Sequence, residues 1–350
     1  MPASIVGVDF GSRVLRAVEL SDTNKARMTI ERYNQIEIPE GAIIRGEVME
    51  PNTVATALRK LWATGGFKSK TIAMGIGNHK VLARDLVMPA MSRARMREAL
   101  PFHVQDVIPM PVSEAILDFY PVEQTMTENG PQVQGLLVAA AKEAVLGNVR
   151  AARLAGLTTV DVDLLPFAIS RVAFNQQNSP GSVVLVDVGA GTTTVVVAHD
   201  GIPQFLRIIP TGSSDLTTTL ATRLETDAGK AEVIKRQIGL SAVPVAPENQ
   251  RALEIIYEVT GELLASIRNT ITYYSNTRPH RTPQRIIITG GGSTLSGFDR
   301  ALGEMTRLPV EHADPFTRFT LAKRLDARVL KGFGSSASAA LGLAAAAVAA

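Results

Sequence analysis

The chain has 350 residues, of which 45% are hydrophobic and 20% are charged, and its formal net charge is +3. This composition is typical of a globular protein, and the length is sufficient for two domains with cores of their own. The sequence contains no cysteine, which excludes disulfide bonds and thiolate metal sites. The small net charge does not indicate a nucleic-acid partner, and the N-terminal sequence MPASIVGVDF lacks the pattern of a signal peptide. We therefore expect a cytoplasmic location.

The first part of the chain combines short strands with one helix. Residues 4–20 predict two strands joined by a tight turn, and residues 28–38 alternate as a third strand. A helix is predicted to begin at residues 51–53 and to end at the glycine pair after Thr64, because apolar side chains recur there at helical spacing. The apolar run at 70–77 predicts a buried strand. This order of elements indicates half of an α/β domain.

The sequence changes character after residue 80. Five prolines fall between residues 81 and 121, and arginines cluster at positions 84, 93, 95 and 97. We interpret this stretch as a small inserted subdomain whose arginines form a solvated helix face or contact an acidic partner. A strand and a helix that ends at Gly156 follow. These features divide the chain into a first lobe (1–80), an inserted subdomain (81–155) and the rest of the first lobe with the second lobe (156–350).

The remainder of the chain continues to alternate strands and helices. A strand and a helix precede a hairpin at 182–201, and another strand and helix follow it. A charged helix ending at Gly239 and a long amphipathic helix then lead to the segment RIIITGGGSTLSGF, in which an apolar strand runs into three glycines. The tail SSASAALGLAAAAVAA is too short to span a bilayer and lacks the basic face of an interfacial helix, so we predict a terminal helix that packs in the core.

Two hairpins of the chain share one pattern. SIVGVDFGSRVLRAVEL near the N-terminus and SVVLVDVGAGTTTVVVAHDG at 182–201 align at an offset of 178 residues, which pairs Asp9 with Asp187 and Gly11 with Gly189. Such an internal repeat suggests two related lobes. Each piece alone also fits an ordinary β-hairpin in which threonine is favoured.

The residues of this pattern suit a phosphate site. Turn N–H groups and hydroxyls bind anions, and glycine lets the backbone approach the ligand closely. An aspartate would repel phosphate unless a cation such as Mg²⁺ bridges the two groups. The strand that runs into GGGS is a further, individually weak sign of a phosphate or adenosine site at a helix N-terminus.

These three elements, in this order, resemble the actin-like ATPase superfamily, which includes actin, the seventy-kilodalton heat-shock chaperones and sugar kinases. The resemblance implies an α/β, actin-like (ribonuclease H-like) fold of two lobes with ATP between them. It implies Mg²⁺ at Asp9 and Asp187. It places phosphate contacts at Gly11, Ser12, Gly189, Gly191, Thr192 and Thr193, and adenosine contacts at Gly290, Gly291, Gly292 and Ser293.

Further roles follow from the same resemblance. Arg16 stands seven residues after the first aspartate, where actin has a phosphate-contacting lysine, and a guanidinium also pairs with phosphate. Glu232, Lys235 and Arg236 resemble the helix that touches the ribose and base in the chaperones, although a surface helix carries similar charges. The strand VDVDLLP resembles the segment from which relatives draw a water-positioning acid. The stretch does not decide between Asp161 and Asp163, and our prediction is Asp163.

Within the superfamily, the chain resembles the PilM family of type IV pilus assembly proteins, which is related to the cell-division protein FtsA. The likeness rests on IPEGAIIRGEVME, LVMPAMS, VIPMPVSEAILDFYPV and the small-residue helix after GFGSSASAALGLA. It implies an FtsA-type inserted subdomain, Mg-ATP binding with slow hydrolysis at most, and a peripheral location at the inner membrane through a partner.

The partner implied by the resemblance is the N-terminal cytoplasmic tail of the bitopic protein PilN, and we expect residues from about 80 to 120 to form part of its groove. The pilus assembly ATPase, the platform protein and a second copy of the chain are further expected partners. An FtsA-like division or filament protein and a small-molecule kinase of the same fold remain alternatives. The alanine-rich tail does not resemble the cationic membrane helix of FtsA, and no feature of the sequence identifies a kinase substrate pocket.

Overall fold

The computed structural model describes residues 4–22, 27–128, 130–174, 180–240, 246–326 and 334–349. The strands are β1 (Val6–Phe10), β2 (Val14–Ser21), β3 (Thr29–Glu37), β4 (Ile43–Ile44), β5 (Glu47–Val48), β6 (Thr71–Ile76), β7 (Val81–Pro89), β8 (Ala115–Thr127), β9 (Gly130–Ala141), β10 (Thr158–Leu164), β11 (Ser182–Val188), β12 (Thr193–His199), β13 (Ile202–Ile209), β14 (Arg285–Thr289), β15 (Val310–His312) and β16 (Thr320–Leu321). The α-helices are α1 (Pro51–Gly65), α2 (Arg93–His103), α3 (Lys142–Leu154), α4 (Leu165–Ala173), α5 (Ser213–Arg223), α6 (Ala228–Ile238), α7 (Gln250–Thr277), α8 (Phe298–Thr306) and α9 (Ser338–Ala349).

The first sheet has the strand order β10-β6-β1-β2-β3-β16. Strands β1, β2 and β3 are antiparallel neighbours, whereas β6 and β10 join β1 in parallel. Helices α1 and α3 cover one face through Val54, Leu58, Leu61 and the alanine pair at 151–152. Helices α4 and α9 cover the other face. Because both faces are covered, the strands contain nearly continuous apolar runs.

The second sheet has the order β13-β12-β11-β14-β15 and repeats the arrangement of the first. Its first three strands are antiparallel, and β14 and β15 are parallel to β11. Helices α7 and α8 pack on one face, and α4 packs on the other through Phe167 and Ile169. The β1–β2 and β11–β12 hairpins therefore occupy equivalent places in two related lobes, as the repeat in the sequence predicts.

A separate sheet of order β7-β9-β8 follows β6 and carries α2 against its own apolar core. The arginines at 84, 93, 95 and 97 are exposed. Helix α3, which lies within the predicted insertion, instead buries Ala151 and Ala152 in the core of the first lobe. The division of the chain at residues 80 and 155 stays a prediction, and these contacts favour ending the inserted subdomain at Ala141.

Helix α9 lies deep in the protein. Ala340, Leu341, Leu343 and Ala344 are fully buried, which confirms the predicted core-packing terminal helix. A Cβ atom at Gly7 of β1 would overlap the backbone of α9, so the helix and the strand are in direct backbone contact. In the part of the chain that the structure describes, no helix combines the length and the apolar character needed to cross a membrane.

Candidate functional site

A cavity of about 910 Å³ lies between the two lobes. Its lining residues come from the β1–β2 turn, the β11–β12 turn, α6, α7 and the loop after β14. The two turns approach each other closely, because a Cβ atom built on Gly191 would lie 3.0 Å from Ser12 Oγ. The fold thus brings together two turns that are about half a chain apart in sequence.

Glycine is required in these turns for steric reasons. A Cβ atom at Gly11 would lie 2.6 Å from the carbonyl oxygen of Val14. Within the second turn, the N–H of Gly189 donates to the carbonyl oxygen of Thr192 at 2.9 Å. Gly11, Ser12, Gly189, Gly191 and Thr192 all line the cavity. Short turns with exposed backbone and hydroxyl groups are suited to bind an anion.

Two aspartates and one arginine line the cavity next to the two turns. Asp9 and Asp187 occupy the penultimate positions of β1 and β11, and Arg16 Nη1 lies 3.3 Å from Asp9 Oδ2. Burial raises the pKa of Asp9, which Arg16 partly offsets. Burial and the charge of Asp9 raise the pKa of Asp187 to about 7, although Arg16 lowers it. Two carboxyl groups thus share one neighbouring guanidinium, and each disfavours ionisation of the other.

The carboxylate pair fits a divalent cation that is shared with a phosphate ligand. Among the described residues, no group of three or more His, Cys, Asp or Glu side chains is arranged to hold a metal ion. Mg²⁺ needs only one or two protein carboxylates when phosphate oxygens and water supply the other ligands. Burial raises the pKa of Asp9 and of Asp187, and the charge of Asp9 adds to the effect at Asp187, so a bound divalent cation would favour the ionised form of both carboxyl groups.

The loop after β14 packs tightly against the β11–β12 turn. Gly290 has φ +85°, and a Cβ atom there would lie 2.7 Å from Asp187 Oδ1. A Cβ atom at Gly292 would lie 3.0 Å from the Cβ atom of Ser213 at the start of α5. Glycine at these positions therefore permits the backbone of the loop to form the cavity wall, together with Gly291.

Helix α6 contributes a network of charged side chains to the cavity wall. Lys235 is 7% exposed, and its Nζ lies 2.6 Å from Glu232 Oε2 and donates to Thr217 Oγ1 at 2.8 Å. Burial lowers the pKa of Lys235, although Glu232 opposes the change. Burial raises the pKa of Glu232, but hydrogen bonds from Lys235, Arg236 and Thr217 outweigh it and bring the value to about 2. All three predicted α6 residues line the cavity.

Three predicted site residues are not brought to the cavity wall. Thr193 is fully buried and donates to the carbonyl oxygen of Thr211, and Ser293 donates inward to the carbonyl oxygen of Gly290. Asp163 is bound by Arg171 and by the N–H of Leu164, and burial raises its pKa despite the arginine. Because these polar groups already have hydrogen-bond partners within the protein, we leave them out of the proposed ligand contacts.

The structure also adds residues that the sequence did not indicate. Apolar side chains also line the cavity, and this group includes Leu216, Val259, Leu263 and Leu295. The helical pattern of α7 predicts Val259 and Leu263 as core residues, but it gives no sign that they face a cavity. Arg45 and Gly46 form a two-residue turn between β4 and β5, and Gly46 lines the cavity.

Comparisons with known proteins show which family the chain belongs to and which solved structures share its fold. Residues 7–347 match the family model described as type IV pilus assembly protein PilM. In a solved PilM-PilN type IV pilus biogenesis complex, one chain is 27% identical with a TM-score of 0.85, and the match covers 98% of each chain. MreB5 of Spiroplasma citri bound to AMPPNP has a TM-score of 0.53 at 13% identity, covering 98% of this chain and 95% of that one, which shows the fold alone.

The curated relatives include the cell division protein FtsA of Bacillus subtilis (strain 168), which is 23% identical over 261 residues. That match covers 67% of this chain but only 58% of FtsA. The predicted actin-like fold is confirmed by these neighbours. Since the family model extends over nearly the whole sequence, the chain belongs to the PilM family of type IV pilus assembly proteins.

Proposed function

We propose that this protein binds Mg-ATP in the cleft between its lobes and docks on the N-terminal cytoplasmic tail of a PilN-like inner-membrane protein during type IV pilus assembly. The observation that carries the nucleotide proposal is the meeting of two equivalent turns, each preceded by an aspartate. The partner proposal is supported by family membership and by the 27% identical chain in the PilM-PilN complex. Docking would hold the protein at the cytoplasmic side of the inner membrane.

The residues of the cleft divide into two parts by their chemistry. At the phosphate end, the turn N–H groups and the hydroxyls of Ser12 and Thr192 would bind phosphate oxygens, with Arg16 as the nearby cation. Asp9 and Asp187 would hold the Mg²⁺, whose charge offsets that of the phosphates and carboxylates.

The nucleoside part of the cleft combines charged and apolar groups. Glu232 and Arg236 would contact the ribose or base through hydrogen bonds, while the GGG loop forms the facing wall. Lys235 is tied to Glu232 and Thr217, so we infer that it mainly orders α6. The apolar residues beyond this helix provide a desolvated surface for a base.

A binding role with slow hydrolysis at most is favoured over efficient catalysis. Asp163, the predicted water-positioning acid, is paired with Arg171 and does not line the cavity. Efficient hydrolysis requires a group within hydrogen-bond reach of the attacking water. The alternative of an FtsA-like division protein shares the fold, but the family model for PilM covers more of the chain than the match to FtsA does.

Thermal unfolding with Mg-ATP and with ADP tests the nucleotide proposal. At a ligand concentration a thousandfold above Kd, linkage stabilises the protein by about 4 kcal/mol. For a chain of this size the melting temperature should rise by about 5 °C. No rise with either nucleotide would refute the proposal.

Titration with a synthetic peptide of the PilN-like tail tests the partner. A tail that is disordered before binding must lose chain entropy, so its affinity should depend on a few apolar anchors. Val87, Phe102 and Ile116 are exposed apolar residues in the 80–120 region. Serine substitutions at these positions should weaken peptide binding, whereas Tyr273→Ser, in the second lobe, should not. Equal affinity for all variants would contradict this placement.

A further inference from the structure

A third hairpin reaches the phosphate end of the cleft. Strands β4 and β5 are joined by Arg45 (φ +50°) and Gly46 (φ +83°), so both turn residues adopt the left-handed conformation of a tight hairpin. This conformation is uncommon for a residue other than glycine, and residues that adopt it cluster at functional sites.

The hairpin is fastened to the first lobe. Asn148 of α3 is 1% exposed; its Nδ2 donates to the carbonyl oxygen of Gly46, and its Oδ1 accepts from the N–H of Val48, both at 3.1 Å. Lys80 Nζ lies 2.8 Å from Glu47 Oε1. A buried amide that bonds to both sides of a turn holds the turn rigidly. The hairpin must therefore move with the first lobe.

The tip of the same hairpin contacts the second lobe. Arg45 Nη2 lies 3.3 Å from Asp215 Oδ1 in the first turn of α5. Asp215 is itself fixed, because its Oδ2 accepts a 2.7 Å hydrogen bond from the N–H of Gly212. A Cβ atom on Gly191 would lie 3.2 Å from both Cα and Cγ of Arg45, so the arginine rests directly on the second phosphate turn.

These contacts connect the lobes across the mouth of the phosphate end. We propose that Arg45 is a positioning residue that clasps the two lobes together and thereby limits the rate of nucleotide exchange. This inference rests on the proposed nucleotide function. The guanidinium of Arg45 is directed to Asp215, so we assign its side chain to closure of the lobes and not to ligand binding.

A clasp of this kind has a kinetic signature. Opening of the lobes precedes both entry and exit of the ligand, so a weaker clasp speeds both steps and leaves their ratio nearly unchanged. An ion pair of this exposure contributes up to about 1 kcal/mol, which corresponds to about fivefold in rate. A residue that binds the ligand directly would instead change Kd together with the dissociation rate.

Stopped-flow kinetics of Arg45→Gln with a fluorescent ATP analogue and Mg²⁺ tests the inference. Association and dissociation should both accelerate up to about fivefold, with Kd changed by less than about twofold. Arg223→Gln is the matched control, because Arg223 is similarly exposed and pairs with Glu258 within the second lobe at 2.7 Å. Unchanged rates in Arg45→Gln, or a Kd that rises with the dissociation rate, would overturn the clasp.

The absence of cysteine from the sequence permits a second test. Arg45→Cys combined with Asp215→Cys, joined by a short bis-maleimide, should trap bound nucleotide in a protein that stays folded by circular dichroism. Rapid release from the cross-linked protein would overturn the inference. Mg-ATP binding by the wild-type protein distinguishes the proposed nucleotide function from the proposed role of Arg45. If the wild type does not bind Mg-ATP, both fail, whereas binding with unaltered exchange in Arg45→Gln removes the clasp alone.

Discussion

Replacing Asp187 by asparagine tests the charge balance of the cleft, because the amide keeps the shape of the side chain and removes its charge. Burial and Asp9 raise the pKa of this carboxyl from 3.8 to about 7, against the opposing charge of Arg16. At 1.36 kcal/mol per pH unit, such a change corresponds to a cost of about 4 kcal/mol for the ionised form. Asp187 is partly exposed, so screening reduces the expected gain in Asp187→Asn to about 1–3 kcal/mol at pH 8.

The direction of the pH dependence follows from linkage. Because the folded protein holds the Asp187 proton more tightly than the unfolded chain does, this group stabilises the fold most below pH 3.8. That contribution is lost as the pH rises toward about 7. Urea unfolding without nucleotide should therefore show a larger advantage for Asp187→Asn at pH 8 than at pH 5. An equal advantage at both pH values would refute the electrostatic reasoning.

The same variant should lose affinity for nucleotide while it gains stability. If Asp187 faces a cation that bridges to phosphate, its removal should lower the affinity for Mg-ATP by tenfold or more. Isothermal titration with and without Mg²⁺ measures this effect, and EDTA should reduce the difference from wild type. Asp299→Asn is a control because Asp299 lies on α8 and pairs with His312. Wild-type affinity for Mg-ATP in Asp187→Asn would end the metal-bridge argument.

Three other variants examine the walls of the cleft. Thr192→Ala should weaken Mg-ATP binding by only about fivefold in titrations, since one hydroxyl hydrogen bond contributes about 1 kcal/mol; a loss as large as that of the aspartate variant would contradict this. Gly290→Ala should lower the free energy of unfolding by about 1–3 kcal/mol, because it adds a Cβ atom at φ +85° against a backbone carbonyl oxygen. Gly291→Ala, where nothing lies within 4 Å, is its matched control in urea unfolding. Glu232→Gln should lower the melting temperature at pH 7, and this effect should decline as the pH falls from 4.5 to about 2, because the low pKa of Glu232 stabilises the fold only while the carboxylate is ionised and paired with Lys235. An equal effect at pH 7 and at pH 2 would argue against the pair.

The two lobes and the place of the cleft could be predicted because the repeated hairpins are local patterns in long apolar strands. Strands β11 and β12 are marked in the sequence by continuous apolar runs, and their turn by glycine. Strands β15 and β16 have three and two residues, and they form only through pairing with distant strands. Such pairing leaves no periodic signal in the sequence.

The sequence could not predict which of the neighbouring threonines, Thr192 or Thr193, faces the cavity. Thr192 lines the cavity, whereas Thr193 begins β12 and points into the protein, where its hydroxyl bonds to Thr211. Successive side chains of a strand point to opposite faces, but the register that decides which threonine faces the cleft is fixed by strand pairing. Likewise, Arg45 belongs to the site only because folding brings its turn onto Gly191, a contact between residues far apart in the chain.

The close packing of α9 against β1 links the terminal helix to the β1–β2 turn. Gly7 lies two residues before Asp9 on β1, and a side chain at Gly7 would meet the backbone of α9. Gly342 of α9 in turn lies against the carbonyl group of Ala168 in α4, so the helix is held between a strand and a second helix with no side chain as a spacer. Small residues permit this distance, and one added methyl group must move backbone atoms. The close packing of the alanine-rich helix α9 therefore fixes the position of β1, and the position of the Asp9 carboxylate at the end of β1 depends on that packing.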